Sequence, residues 1–134
     1  MTNYFKPKEV VNNHFPTLSL LFRNQKLEYT PELLKVFNGD AVLTALLSLH
    51  GGAANLGFTG ACYRVHSEGI YSKQTYLENY FKSVYTREKL ISSGIFPEEI
   101  SNEIKQNIRT RKYKAIKYCL KRVRIISLLR VVFR

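Results

Sequence analysis

The chain has a single aspartate, Asp40. It stands directly after Asn38-Gly39 and ahead of an apolar run over residues 41–49. A carboxylate held at the start of a buried helix has two uses. It can take a proton from a hydroxyl within hydrogen-bond reach, the task of a general base. It can also accept from the free N–H groups of the first turn, as a helix cap. By spacing alone, Asn-Gly-Asp before a helix is the cap. Gly39 also lets backbone and substrate approach each other closely.

A second cluster is Tyr63-Arg64-Val65-His66, followed by the loop Ser67-Glu68-Gly69-Ile70-Tyr71-Ser72. Strand alternation puts Arg64 and His66 on one face. A neutral imidazole ligates a divalent metal, and a protonated one suits a diphosphate. One histidine with no second ligand is, unaided, a loop residue without a task. His50 precedes Gly51-Gly52 at a helix end, where a cation complements the dipole. His14 has no evident partner. Cys62 and Cys119 have no zinc spacing and are expected to be buried free thiols. No phosphate-cradling glycine loop and no GxSxG motif is present.

The elements that must hold these residues follow from pattern. Residues 16–22 (PTLSLLF) are an apolar run closed by Arg23-Asn24, expected as a buried strand. Thr30-Pro31-Glu32 predicts a short helix over 31–36. The run 41–49 is apolar on nearly all faces and predicts a buried helix. Residues 53–65 predict a strand pair or one bent strand, kinked at Gly57 and Gly60. A helix rich in Tyr, Phe and Leu is expected over 75–89, its Tyr76, Tyr80, Phe81 and Tyr85 stripe packing rather than binding. Phe96-Pro97-Glu98-Glu99 opens a further helix, with breaks, to the end. The class is α/β but mainly helical, with too few strands for a self-sufficient sheet.

Composition sets limits. The 134 residues suffice for one domain, and 45% are apolar. The net charge of +11 is confined to one end. Residues 1–103 hold ten Lys/Arg and ten Asp/Glu, whereas residues 104–134 hold eleven Lys/Arg and no acid. From Tyr113 on, Ile116, Cys119, Leu120, Val123 and Ile126 recur on one helical face, and Lys114, Lys117, Lys121 and Arg124 on another. That is a basic amphipathic helix of the kind that lies on anionic lipid. The same charge would serve nucleic acid, but no helix-turn-helix, zinc or RRM signature accompanies it. No signal peptide is visible, and no run approaches the roughly 20 apolar residues of a membrane helix. The chain is expected in the cytoplasm, touching the inner face of the cell membrane.

Three pieces together resemble the acceptor half of family 2 glycosyltransferases of GT-A fold. They are residues 16–24 (PTLSLLFRN), Asn38-Gly39-Asp40 with its apolar helix, and residues 63–72 (YRVHSEGIYS). Order and spacing agree over about residues 10–90. Glu68 stands where a second glycine is common in that family, and Tyr71 where tryptophan is common. The resemblance implies an inverting transfer from a nucleotide sugar to a polysaccharide or lipid-linked acceptor. Asp40 would be the base. His66 would contact a Mg or Mn ion or the diphosphate, and Arg64 would pair with the diphosphate. Ser67, Tyr71 and Ser72 would close over the donor. Arg23 either supports the acceptor pocket or ends a strand in solvent. The family's nucleotide-binding half and its Asp-x-Asp motif are absent from these 134 residues. Residues 1–90 are thus expected to be an incomplete acceptor-side domain and 91–134 a helical basic tail. Such a fragment would be inactive alone. The alternative is a small basic module that binds membrane or nucleic acid through residues 104–134.

Overall fold

The computed structural model describes residues 3–13, 15–62, 69, 73–122 and 125–133. It is mainly helical, with 57% helix and 5% strand. The sheet is a two-stranded antiparallel ribbon. Strand β1 (Asn3–Phe5) pairs with β2 (Ala53–Asn55), Tyr4 opposite Ala54. Gly52 allows this crossing, because a Cβ there would run into the Phe5 carbonyl oxygen.

Helix α1 (Pro7–Val10) starts with proline, and the Glu9 carboxylate accepts from the Lys6 N–H at 2.6 Å. Helix α2 (Gly39–Ser48) buries Val42, Ala45 and Leu46 on one face. Thr44 and Ser48 are buried on it as well. Each returns its hydroxyl proton to a carbonyl of the turn before, Thr44 to Asp40 at 3.0 Å and Ser48 to Ala45 at 2.6 Å. No polar hydrogen is left unpaired by that burial.

Helix α3 (Tyr76–Ser92) is fixed at its start by Thr75. The Thr75 hydroxyl accepts from the Glu78 N–H at 3.3 Å, and the Glu78 carboxylate accepts from the Thr75 N–H at 2.7 Å. Gly94, at φ +69°, turns the chain just past the helix end. Helix α4 (Glu98–Lys121) follows Pro97, with Glu98 and Glu99 in its first turn against the positive end of the dipole.

Two cores share α4. The first joins Leu33, Val42, Ala45, Leu46, Leu90 and Phe96 to Ile100 and Ile104. The second joins Leu77, Tyr80, Val84 and Val131 to Ala115 and Cys119. Ile108 packs against both. Each fully buried leucine or isoleucine contributes about 1.5–3 kcal/mol. Helix α5 (Ile125–Val132) returns along α4 with Val131 fully buried, and Lys112 donates to its Val132 carbonyl at 2.9 Å.

Four expectations change. Residues 16–22 are not a buried strand. Thr17–Ser19 form a 3-10 turn, held by the Ser19 hydroxyl on the Pro16 carbonyl at 2.8 Å. Leu21 is 94% exposed and unpaired to any strand. A strand exists only where another offers a ladder, and among the described residues β1 and β2 pair with each other and not with residues 16–22. For the same reason the strand expected over 53–65 shrinks to Ala53–Asn55 within the described residues. The helix expected over 31–36 is a 3-10 turn, Leu33–Lys35, on the Thr30 carbonyl. The helix expected to run with breaks to the end does break: α4 ends at Lys121 and α5 starts anew at Ile125. Arg122, at φ −108° and ψ 9°, leaves the helical path. The free thiols also divide, Cys119 buried as expected and Cys62 exposed.

Candidate functional site

Helix α2 begins two residues earlier than the cap reading of Asp40 requires. Asn38 is the N-cap residue, and Asp40 sits inside the first turn. Its Oδ1 accepts from the Ala41 N–H at 2.8 Å, so it satisfies a first-turn donor without being the cap. Its Oδ2 has no hydrogen bond among the described residues. The Asn38 side chain turns instead toward α3, where its amide oxygen accepts from the Thr86 hydroxyl at 3.3 Å. A Cβ built at Gly39 meets nothing within 4 Å, so open space lies beside Asp40.

Asp40 lines a cavity of about 50 Å³ with Val11, Asn13, Phe15, Thr44, Arg87 and Arg111. Sequence reasoning missed both arginines. Yet each occupies an inward stripe: Arg87 continues Leu77, Tyr80 and Val84 on α3, and Arg111 continues Ile104 and Ile108 on α4. A charge in an apolar stripe at helical spacing was the available signal.

Arg87 is 8% exposed. It donates to the Ser83 hydroxyl at 2.6 Å and the Ser83 carbonyl at 3.1 Å through one terminal nitrogen. Its other N–H groups have no partner among the described residues. Burial first, and then the charge of Arg111, pull its pKa down to about 10 against the opposing charge of Asp40. Arg111 donates through Nε to Asn107 at 2.7 Å, and burial lowers its pKa as well. Neither has a carboxylate within 4.0 Å among the described residues. The ion pair among the described residues is Lys8 with Glu99, at the surface.

Arg111 also lines a second cavity of about 330 Å³ with Asn12, Tyr76, Asn79, Tyr80, Asn107, Thr110 and Lys114. Asn12 donates to Glu103 at 2.8 Å, while its Oδ1 is buried without a partner. Tyr76 stacks on Tyr118 at 4.4 Å between centroids, so part of the aromatic stripe does pack, as its spacing predicts.

Of the residues singled out from sequence, Asp40 is at a cavity and Gly39 beside it. Arg23 is exposed and lines neither cavity. Arg64, His66, Ser67, Tyr71 and Ser72 lie outside the described residues, as does His14. His50 is exposed just past the end of α2. No group of three or more His, Cys, Asp or Glu side chains gathers among the described residues. Two guanidiniums beside Asp40 repel a divalent cation, so the residues described there do not fit a Mg or Mn site. No described helix is long and apolar enough to cross a membrane.

No family model, no curated protein and no solved structure matches this chain.

Proposed function

We propose that the chain is the acceptor-side part of an inverting nucleotide-sugar transferase, with Asp40 taking the proton from the acceptor hydroxyl. One observation carries this reading. Asp40 is held on the first turn of the buried helix α2, one carboxylate oxygen bound to the backbone and the other without a hydrogen bond among the described residues, at the wall of a cavity. A base must be fixed and reachable at once, and a rigid helix behind it supplies the fixing. The resemblance in order and spacing of the three sequence pieces names the reaction. His66 and Arg64 would hold the departing diphosphate, and Ser67, Tyr71 and Ser72 would cover the donor. The acceptor is a polysaccharide or lipid-linked glycan.

The test is a transfer assay on two proteins: the 134-residue chain alone, and the chain joined to a nucleotide-sugar-binding domain. Transfer is expected only from the joined protein. Turnover of a nucleotide sugar by the chain alone would overturn the division of labour.

A second reading rests on α5. Ile126, Leu129 and Phe133 are 73%, 52% and 83% exposed and recur at helical spacing. Arg130 is exposed on the same helix, and Lys117 and Lys121 on α4. Apolar side chains set among cations with no acid in residues 104–134 suit an anionic lipid surface, at roughly 1 kcal/mol per basic residue. Such a surface would hold the chain near a lipid-linked acceptor. Nucleic acid explains the charge but not the exposed isoleucine and leucine.

A further inference from the structure

We infer that Arg87 and Arg111 bind the phosphate of a hydroxyl-rich phosphomonoester, whose neutral part lies in the adjoining cavity against Asn12, Asn79 and Asn107. The acceptor role of that ligand rests on the transferase reading; its binding does not.

Two guanidiniums line one small cavity, Arg87 almost wholly buried, and neither has a carboxylate within 4.0 Å among the described residues. A buried cation without a counter-charge is costly, and a fork of N–H donors matches a phosphate's oxygens. Arg87 keeps N–H groups without a partner among the described residues after Ser83 takes one nitrogen. The cavity of about 50 Å³ exceeds the roughly 10–15 Å³ that one water needs, and so admits a small oxyanion. Asp40 is on the same wall and repels an anion. Two guanidiniums outweigh that one carboxylate in the small cavity, and Lys114 adds a further cation to the wall of the second, where the charge of about −1.5 to −2 on a phosphate is still felt.

Arg111 is common to both cavities, so a ligand anchored on it reaches the larger one. There the buried Asn12 Oδ1 lacks a donor, and a ligand hydroxyl supplies one. Asn79, Asn107 and Thr110 add amide and hydroxyl groups to the same wall. That wall suits a polyol or sugar better than an apolar tail.

The test measures phosphate binding by the 134-residue chain and by Arg111→Gln, with Arg87→Met added where it folds. Arg111 is only half buried, so its variant is expected to fold. Inorganic phosphate should raise the Tm above that in chloride at equal ionic strength. Glucose 6-phosphate should bind about tenfold or more tighter than glucose, and R111Q should remove that margin. Two sources of the phosphate are separated by glycerol 3-phosphate and by vesicles containing phosphatidic acid. Whichever loses binding in R111Q is the source. Equal stability in phosphate and chloride, or unchanged glucose 6-phosphate affinity in R111Q, would overturn the inference. Asp40→Asn removes the carboxylate that repels the anion and should tighten phosphate binding, while in the joined protein it loses transfer, so failure of one claim is separable from failure of the other.

Discussion

The fully buried Thr86 hydroxyl of α3 donates to the Asn38 side-chain oxygen at 3.3 Å, and so ties the residue that starts α2 to the helix that carries Arg87. The same hydroxyl reaches the Lys82 carbonyl at 3.0 Å. One side chain therefore helps fix the spacing between Asp40 and Arg87 across the small cavity.

Thr86→Val keeps the shape and removes the hydroxyl. It should cost about 1–2 kcal/mol of stability. Thermal denaturation checks this. An unchanged Tm would show that the Asn38 contact contributes nothing.

The Glu78 carboxyl is held below its ordinary pKa, first by the Thr75 N–H and then by the Thr75 hydroxyl. Since the folded value is the lower one, its contribution is complete above the unfolded pKa. It is lost as pH falls from about 4.5 through the folded value. Glu78→Gln should therefore lower Tm at pH 7, and the gap to the parent should close as pH falls below 4.5. A gap that stays constant with pH would exclude the cap as its origin.

Leu129→Glu places a charge in the exposed stripe of α5 without opening a core. Stability should change by no more than about 0.5 kcal/mol. Flotation with vesicles containing anionic lipid should fall sharply, and raised salt should weaken the parent in the same way. Full flotation by L129E would remove the lipid reading of the tail.

The helices were legible in the sequence where local chemistry and apolar period agree. Thr75 with Glu78 marks the start of α3, Pro97 with two glutamates marks α4, and the run after Gly39 marks α2. Residues 16–22 misled because an apolar run identifies burial or pairing partners only if the rest of the fold supplies them. Here Leu21 has none. Asp40 was legible because the chain has one aspartate in a recognisable setting. Arg87 and Arg111 were not, because sequence reading assigns charges to the outer face by default. Breaks in the C-terminal helix were expected, but not the place of the one after Lys121. Basic and apolar residues keep their period straight through it, while the backbone at Arg122 does not.

The central claim is that Asp40 accepts the proton of the acceptor hydroxyl. The most direct measurement compares kcat of Asp40→Asn with that of the parent, both joined to the nucleotide-sugar-binding domain. Asparagine keeps the size and the bond to Ala41 but takes up no proton. The account predicts a fall in kcat of about 10²–10⁴ with little change in acceptor KM. A kcat within twofold of the parent would contradict it.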